Sequence, residues 1–363
     1  MRGTIGSKGI GRGTPSVSTL YADALGAFLG ERGLPPATAP ARVGSDLPTP
    51  PRLCGSSYDT LMGRASRELG DNALGLRFGT RVGGAGFGML GIAAASAATL
   101  GEAIRHLTQL ESITSTLGRA TVRRRGDKLH LNWQPVLAVS PAVVEGILSG
   151  WVSFGRYLLG EHVDVVQVSL RHRRIAPMEI YDGVFECPVR FETCSYGVTI
   201  AAELLDARPR FADPVLSAAI GGWLGHCAIA ALHGPVADGM RATRQVAALL
   251  GGALPLADAD EGSVAARLGM GPRSLQRALR REGSSFRQIL NAARAQHAVI
   301  ALMRGEAALP DLGAEIGFDE QSSLCRAFRN WTGYAPLAFR QRMAGVFRPL
   351  RGARDGWTGG MSA

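Results

Sequence analysis

The sequence predicts an α+β amino-terminal domain followed by an all-α carboxy-terminal domain. Two observations lead to this fold class. Between residues 121 and 200, several short segments alternate apolar and polar side chains, which is the period of a β-strand. From Pro214 onward, every periodic segment has the apolar spacing of a helix. The length of 363 residues fits two or three domains better than a single core.

The amino-terminal elements follow from the same periodicities. Residues 1–16 are rich in Gly, Arg and Thr and are predicted to be a disordered tail. Helices are predicted over 17–32, 58–69 and 95–117, where apolar residues recur on one face. The Gly126-Asp127 pair, between two alternating segments, predicts a β-hairpin. Further elements predicted in this way are a helix over 141–159 and strands over 163–170, 189–191 and 198–200.

Composition narrows the class of protein. The net charge is +10, and arginine supplies nearly all of the 40 basic residues, since only Lys8 and Lys128 are lysines. Five scattered cysteines without a CxxC pair favour reduced, partly buried thiols over a disulfide framework or a zinc site. No stretch reaches the roughly 18 apolar residues of a membrane span, and no secretory signal is recognisable. A cytoplasmic protein without a membrane partner is expected.

The positive charge is concentrated towards the carboxy terminus. Twelve arginines and six acidic residues lie between Gly262 and Ala344. Arginine forms bidentate contacts with phosphate and with guanine edges, so this balance suits a polyanionic partner. Genome composition can also favour arginine over lysine, and the motifs within the segment therefore decide its interpretation.

The first of two similar motifs begins at Ser263 with a short helix that has one apolar face. Gly269 follows where the chain must turn sharply. Pro272 suits the first turn of a second helix, which buries Leu275 and Leu279. The opposite face of that second helix presents Arg273, Gln276, Arg277 and Arg280.

The second copy begins at Asp311 and repeats the design. Gly317 makes the turn, Asp319 is placed to cap the next helix, and Leu324 and Phe328 pack inward. The side chains expected to face outward are Gln321, Ser322, Cys325, Arg326 and Arg329. Between the copies, a helix over 286–303 would be about 27 Å long at 1.5 Å per residue. That length could hold two recognition helices about one DNA turn apart.

Each motif is typical of a helix-turn-helix, whose second helix enters the major groove and reads base edges with Arg and Gln. A plain helical bundle with solvated arginines would also explain a single copy. Two copies with the same Leu/Gly/Leu register favour the DNA-binding interpretation.

Residues 262–344 resemble the DNA-binding domain of the AraC/XylS family of bacterial regulators. The matching signature positions are Leu312, Gly313, Ile316, Gly317, Phe318, Phe328, Gly333 and Pro336. Two positions depart from the family: Gly313 stands where Ala is usual, and Gly271 replaces the usual Ser cap. The resemblance implies base reading by Arg273, Gln276 and Arg277 in the first unit and by Gln321, Ser322 and Arg326 in the second. With the outward-facing Arg280 and Arg329, these are the predicted DNA-binding residues.

Residues 17–210 are similar to the arabinose-binding-type sensor domain found in a subset of that family. The matching segments are residues 72–79, 86–91 and 185–191. The resemblance implies a small-molecule effector, either an amino acid or a lipid-like molecule, and a dimer contact. The matched motifs look structural, so the sequence does not identify the effector-binding residues.

Other patterns that bear on chemistry are incomplete. Residues 86–91 spell GxGxxG, and Glu111 lies 20 residues beyond, but no clean strand precedes them. We interpret these glycines as tight backbone packing. The acidic residues near Asp260 are interpreted as a solvated linker, and the basic run 171–174 as a solvated strand end, with binding of an effector carboxylate as the alternative. No catalytic residue, metal or cofactor is expected.

The prediction is therefore a sequence-specific transcription regulator and not an enzyme, in which a small-molecule effector controls binding to promoter DNA. The sequence does not decide between an activator and a repressor. RNA polymerase is the expected protein partner. The predicted domains are a tail (1–16), a sensor domain (17–210), a helical linker region (211–261), a double helix-turn-helix domain with its own linker helix (262–345) and a flexible tail (346–363). Two alternatives stay open: an alkyltransferase-like DNA-repair enzyme fused to a DNA-binding domain, and a nucleoid-binding protein without sequence preference.

Overall fold

The computed structural model describes residues 15–34, 52–84, 86–160, 163–220, 241–250, 255–305 and 308–347. The two predicted tails lie almost entirely outside these ranges. Where the predicted tails overlap the described residues, the chain is regular: the first strand begins at Ser16 and the last helix ends at Phe347. No helix in the described part of the chain is long and apolar enough to cross a membrane.

The amino-terminal part combines strands and helices. Strands β1 to β7 are Ser16–Ser18, Arg52–Cys54, Gly118–Arg125, Lys128–Pro135, Val165–Ser169, Val189–Arg190 and Tyr196–Ala201. Helices α1 to α7 are Thr19–Gly30, Gly55–Glu68, Leu74–Arg81, Met89–Ser96, Leu100–Gln109, Pro141–Leu159 and Met178–Phe185. Short 3₁₀ turns lie at Glu111–Ile113 and Ala202–Asp206.

Five strands form the main sheet, in the order β3-β4-β7-β5-β6. All neighbours are antiparallel except β5 and β6. The predicted hairpin joins β3 and β4, and Gly126 makes its turn with φ of +61°, a conformation that costs glycine little. One face of the sheet is apolar, with Trp133 of β4 and Ile200 of β7 buried. Helices cover this face, and a second small sheet pairs β1 with β2.

Helices α3 and α6 meet at backbone distance. An ideal Cβ placed on Gly75 of α3 would lie 2.0 Å from the carbonyl oxygen of Ala142 in α6. One placed on Gly79 would lie 1.9 Å from Ser149 Oγ and 2.4 Å from Gly146 O. Only glycine fits at these two positions, which are one helical turn apart. The segment 72–79, which resembles the sensor family, is therefore a helix-packing motif.

The carboxy-terminal part is helical throughout the residues that the structure describes. Helices α8 to α14 are Arg241–Ala248, Glu261–Arg267, Pro272–Arg281, Phe286–Arg304, Leu309–Glu315, Gln321–Thr332 and Pro336–Phe347. Residues 214–220 are also helical, and a 3₁₀ turn lies at Leu256–Asp258. An α+β part followed by an all-α part with two helix-turn-helix units and a linker helix confirms the predicted fold class.

Some predicted boundaries are wrong. The helix expected over 95–117 is shorter, since α5 runs over Leu100–Gln109 and residues 95–96 are the end of α4. Thr99 caps α5: its Oγ1 accepts a hydrogen bond from the Glu102 N–H at 3.2 Å. The Glu102 carboxylate in turn accepts one from the Ala98 N–H at 2.8 Å, so the pair acts much like a capping box. Helices α3, α4 and α7 were not predicted. The helix predicted from residue 17 begins at Thr19, because residues 16–18 pair with β2.

A carboxyl group is buried in the centre of α6. Glu145 is fully buried, and its Oε1 accepts a hydrogen bond from the Tyr181 hydroxyl at 2.5 Å. Its Oε2 has no hydrogen-bond partner in the described part of the chain. Burial raises the pKa of Glu145 to about 8, since the charged form is poorly solvated there. His172 Nε2 lies 3.8 Å from Oε1, and burial lowers the pKa of this imidazole, so both groups are mainly uncharged near pH 7.

Replacing Gly79 by alanine should destabilise the amino-terminal part by about 1–3 kcal/mol, because the added methyl collides with the backbone of α6. Urea unfolding followed by circular dichroism measures the change. Gly26→Ala in α1 is the matched control, since no atom lies within 4 Å of the added Cβ. This control should gain about 0.5–1 kcal/mol from helix propensity. Equal effects of the two substitutions would contradict the close packing of α3 on α6.

Replacing Glu145 by glutamine should change how stability depends on pH. The folded protein keeps the Glu145 proton up to about pH 8, whereas the unfolded chain releases it near 4.5. The free energy of unfolding contributed by this group is therefore fully present below pH 4.5 and is lost as pH rises to about 8. Relative to wild type, Glu145→Gln should become more stable across that window, by an amount on the order of 3–5 kcal/mol.

Urea titrations at pH 5 and pH 8.5 measure this difference. Glu203→Gln, at an exposed carboxylate, is the control and should show no such trend. A wild-type-to-variant difference that is the same at both pH values would mean that Glu145 is ionised in the folded protein.

Candidate nucleic-acid interface and internal cavity

The first helix-turn-helix consists of α9 and α10. Asp260 caps α9, and its carboxylate accepts hydrogen bonds from the N–H groups of Gly262 and Ser263 at 2.8 and 3.0 Å. The chain turns at Gly269, which has φ of +66°. Leu275 and Leu279 of α10 are buried and fix this helix on the domain core.

The exposed face of α10 carries the predicted DNA-binding side chains. Arg273, Gln276, Arg277 and Arg280 are all exposed. Their i, i+3, i+4, i+7 spacing places them on one face, opposite the two buried leucines. Exposed arginine and amide side chains in such a row can contact the phosphates and base edges of DNA.

The second helix-turn-helix consists of α12 and α13. Gly317 makes the turn with φ of +83°. Phe328 of α13 is fully buried between Trp331 and Phe339, at ring-centroid distances of 6.3 and 5.3 Å. The predicted Asp319 cap is wrong: α13 begins at Gln321, so the capping position falls on Glu320, whose side chain makes no capping bond.

The exposed face of α13 presents the second predicted set. Gln321, Ser322, Arg326 and Arg329 are exposed, whereas Cys325 is half-buried. Gly313 of α12 is not required by crowding, because the nearest atom to an ideal Cβ there is 3.5 Å away. The departure from the usual alanine therefore reflects no packing constraint.

Helix α11 joins the two units. Its 19 residues span about 28 Å at 1.5 Å per residue. The Arg294 guanidinium lies 5.1 Å from the Phe318 ring centre, next to the second turn, and reaches the Leu256 carbonyl oxygen ahead of the first unit. His297 Nε2 lies 2.9 Å from Glu315 Oε1 of α12. Helix α11 therefore follows the first unit in the chain, contacts the turn that precedes that unit and packs against the second unit.

Helix α8 lies in the linker region ahead of the first unit and is attached to that unit by Glu282, the residue after α10. The two carboxylate oxygens of Glu282 accept hydrogen bonds from the N–H groups of Ala242 and Thr243, at 2.9 and 2.7 Å. A carboxylate at a helix amino terminus satisfies otherwise unpaired donors and interacts favourably with the helix dipole.

A cavity lies inside the amino-terminal part, between the apolar face of the sheet and helices α5 and α6. Its walls enclose about 1220 Å³ of empty space, part of which is open to solvent. Leucine, isoleucine, valine and aromatic side chains make up most of the wall, including Phe87, Trp133, Trp151 and Phe154. Glu111 is the one charged residue in the wall among the described residues. Apolar concave sites with few polar groups are where small ligands bind.

Glu111 is held in place by its surroundings. Its Oε2 accepts a hydrogen bond from the Ala120 N–H of β3 at 2.7 Å. Burial raises the pKa of Glu111 to about 7, although hydrogen bonds from the Ala120 N–H and the Trp133 indole lower it in part. The 3₁₀ turn that carries Glu111 is anchored by buried Arg52, whose Nη1 donates to the Ile113 carbonyl oxygen at 2.9 Å. Gly118 admits the indole, since an ideal Cβ there would lie 2.1 Å from the Trp133 ring.

A buried carboxylate joins the two parts of the chain. Asp213 accepts hydrogen bonds from the Tyr334 hydroxyl, at 2.8 Å to Oδ2, and from Nε of Arg342 in α14. Its own N–H donates to the carbonyl oxygen of Ser96, the last residue of α4, at 2.9 Å. Burial raises the pKa of Asp213, but the Leu216 N–H, Tyr334 and Arg342 outweigh it and lower the pKa below its usual value. We call Asp213, Tyr334 and Arg342 the Asp213 cluster.

A second contact between the parts involves α6. The Tyr157 hydroxyl donates to the carbonyl oxygen of Gly345 in α14, and its ring lies 5.4 Å from that of Phe211. Gly345 itself has no room for a side chain, because an ideal Cβ would lie 2.6 Å from Phe211. Tyr157 lies between Phe154 and Leu158, which line the cavity. Helix α6 thus contacts both the cavity and the last helix.

The sequence did not predict that Glu111 and Trp133 line a cavity. It also gave no sign of the Asp213 cluster. The residues that line the cavity come from segments distant in sequence, and no spacing signals such a set. The glycines of residues 86–91 pack closely as interpreted, since an ideal Cβ on Gly91 would lie 2.3 Å from Gly84 O. Cys54, Cys187, Cys194 and Cys325 are free thiols, and Cys227 lies outside the described residues. A search of the described residues found no group of His, Cys, Asp and Glu that could hold a metal ion.

Comparison with known proteins agrees with this arrangement. The family model for the N-terminal arabinose-binding domain of AraC transcription regulators matches residues 33–209, and a helix-turn-helix domain model matches residues 264–342. The ornithine utilization regulator of Pseudomonas aeruginosa is 28% identical over 339 residues, which are 90% of this chain and 96% of that protein.

Two further relatives come from the same organism. The HTH-type transcriptional regulator VqsM is 28% identical over 165 residues, 46% of this chain and 50% of that protein. The crystal structure of the transcriptional regulator CdpR aligns with 89% of this chain and 98% of that chain, at 22% identity and a TM-score of 0.42. With both family models in their expected order along the sequence, the chain belongs to the AraC family of DNA-binding transcription regulators that carry an arabinose-binding-type effector domain.

Proposed function

We propose that the protein grips two successive major grooves of promoter DNA with α10 and α13, and that a small molecule in the cavity controls this grip. The observation behind the proposal is that α11 joins the two units and contacts both the second unit and the turn that precedes the first. The base-reading residues we propose are Arg273, Gln276, Arg277 and Arg280 in α10, and Gln321, Ser322, Arg326 and Arg329 in α13.

Control by the effector requires a physical path to the DNA-binding helices. We propose that α6 provides it, since this helix lines the cavity with Phe154 and Leu158 and contacts α14 through Tyr157. Helix α14 packs Phe339 against Phe328 of α13, at 5.3 Å between ring centres. A ligand that shifts α6 would therefore change how α13 is presented to DNA.

We propose that the chain acts as a regulator and not as an enzyme. The alkyltransferase alternative needs a reactive thiolate. Burial raises the pKa of Cys187 to about 11, which works against that role. A methyl-transfer assay with alkylated DNA would test it directly, and transfer of a methyl group to Cys187 would overturn this part of the proposal.

The wider assignments are proposals of the same kind. We propose a sensor domain over 17–210, a linker region over 211–261 and a DNA-binding domain over 262–345, with tails before and after them. RNA polymerase and a second copy of the chain are the proposed protein partners, and the cytoplasm, where bacterial DNA lies, is the proposed location. The name of the ornithine utilization regulator makes ornithine one candidate effector to test.

Replacing Arg277 or Arg326 by alanine should relax base preference at one position of the binding site and weaken binding there by about 1–3 kcal/mol. The reason is that a bidentate contact to a base edge is lost. The purified protein first selects its site from a random DNA library, and each variant is then measured against single-base changes of that site at one fixed salt concentration.

Arg287→Ala is the matched control, since it removes an exposed positive charge from α11 rather than from a recognition helix. It should weaken all sequences alike or have no effect, because phosphate contacts do not read sequence. If Arg277→Ala behaves like the control, Arg277 does not read a base. If the wild-type protein selects no site, the alternative of a nucleoid-binding protein without sequence preference holds.

The Asp213 cluster should be energetically coupled. Asp213→Asn and Arg342→Gln, alone and combined, should give a coupling energy of about 1 kcal/mol in a double-mutant cycle, since Asp213 is buried although the Arg342 side chain is half-exposed. Urea unfolding supplies the energies, and amide hydrogen exchange in α14 reports whether this helix has loosened.

Arg340→Gln, at an exposed arginine of the same helix, is the control for this cycle. Its effect should add to that of Asp213→Asn within about 0.5 kcal/mol. Additivity of Asp213→Asn with Arg342→Gln as well would show that the cluster does not join the two parts of the chain.

A further inference from the structure

The cavity wall restricts the chemistry of the ligand. An amino acid or a fatty acid carries a carboxylate, which buried sites bind through Arg, Lys or His. None of these residues lines the cavity among the residues that the structure describes. Arg52 is buried nearby but outside the wall, and its guanidinium is occupied by Ser16 and Ile113.

Most of the neutral polar groups of the wall are already engaged within the protein, although the Trp151 indole N–H has no hydrogen-bond partner among the described residues. Thr108 Oγ1 donates to the Ile104 carbonyl oxygen of its own helix at 2.9 Å. Ser115 Oγ accepts from the Leu117 N–H at 3.2 Å. The Tyr21 and Tyr58 hydroxyls are hydrogen-bonded to each other. A sugar needs many unoccupied donors and acceptors, and this wall does not offer them.

Glu111 has acceptor positions to spare. A carboxyl group has two oxygens and about four acceptor positions. The Ala120 N–H donates to one oxygen of Glu111, and the Trp133 indole also donates to the carboxyl group. Acceptor capacity therefore remains on a group that faces an otherwise apolar chamber, and the matching partner is a donor. Arg119, the charged residue that faces Glu111 from β3, is exposed and lies outside the wall.

We infer that the cavity binds an elongated apolar molecule with one terminal hydrogen-bond donor, such as an alcohol, a phenol or an amine, and that Glu111 accepts the hydrogen bond from that donor. This inference rests on the proposed role of the amino-terminal part as the effector domain. It excludes free amino acids, sugars and fatty acids as ligands of this cavity.

The direct test measures binding to the full chain without DNA. Three probes share one alkyl chain and differ only in the end group: 1-decanol, decanoate and decylamine. Calorimetry gives the affinities, and the fluorescence of Trp133 and Trp151, both in the wall, reports binding at the cavity. We expect 1-decanol to bind at least about tenfold more tightly than decanoate, because a carboxylate would be buried beside Glu111 without a cation. Arabinose and ornithine should not bind in the cavity.

Glu111→Gln tests the anchor itself. The amide keeps an acceptor and adds a donor, so decanoate should bind at least about threefold more tightly to this variant than to wild type, whereas 1-decanol should change little. Glu203→Gln, at an exposed carboxylate, is the matched control and should leave all affinities as they are.

Gly155→Leu tests the location. Gly155 lines the cavity, and no atom lies within 4 Å of an ideal Cβ at this position of α6, so the leucine side chain would project into the empty space. We expect 1-decanol binding to fall by at least about tenfold, while cooperative urea unfolding shows that the variant folds.

The inference is overturned if decanoate binds wild type as tightly as 1-decanol and decylamine do, if none of the three binds, or if Gly155→Leu leaves binding intact. Binding of arabinose or ornithine that Gly155→Leu abolishes would also overturn it. These measurements contain no DNA. The proposed function fails separately, if the protein selects no DNA site or if a bound cavity ligand leaves DNA binding unchanged.

Discussion

The close contact between α3 and α6 determines where the other parts of the structure can lie. Gly75 and Gly79 let the backbones of the two helices touch, so α6 cannot move on that side without a collision. Its other side forms the wall of the cavity, and Tyr157 reaches α14. One helix is therefore rigid on one face, exposed to a ligand on another and joined to the DNA-binding part near its end. A change in cavity occupancy has few directions in which to act, and the most direct is towards α14.

The carboxy-terminal part depends on a different kind of constraint. Each recognition helix is fixed by two buried apolar residues, and the spacing between the helices is fixed by α11. The polar ties lie at the edges: Glu282 bonds the start of α8, and His297 contacts Glu315. Arg294 lies half-buried between the second turn and Leu256, and burial lowers its pKa without removing its charge. Apolar packing thus sets the geometry of the two units, and hydrogen bonds to backbone groups connect them to the linker region.

Features that depend on contacts between residues close in sequence were predictable, whereas features that depend on contacts between distant residues were not. The helix-turn-helix units were recognisable because each is a local arrangement, with Gly269 or Gly317 at the turn and leucines a fixed number of residues away. Helix α6 was predicted to the residue because Pro141 starts it and Gly160 follows it. Thr99 and Glu102 were a signal that a helix begins at α5. The prediction gave more weight to the helical spacing of apolar residues, which runs on across this position. The cavity and the Asp213 cluster had no such signal, since they join residues more than a hundred positions apart.

Among the described residues, the cavity wall contains no cationic side chain, which is informative in a chain whose composition is so rich in arginine. With 40 basic residues, an arginine in the wall would not be unusual if the site bound an anion. Burying a guanidinium without a partner is costly, and at buried Arg52 this cost is compensated because each of its three nitrogens donates a hydrogen bond to Ser16 or Ile113. An anionic ligand would supply the same compensation in the cavity and so would permit an arginine there. The wall contains Glu111 instead. A bound anion would destabilise the Glu111 carboxylate, whereas a hydrogen-bond donor would stabilise it. On the proposed function, the charge pattern of the described residues separates two kinds of recognition: exposed arginines for DNA, and an apolar chamber with Glu111 as acceptor for the molecule that controls it.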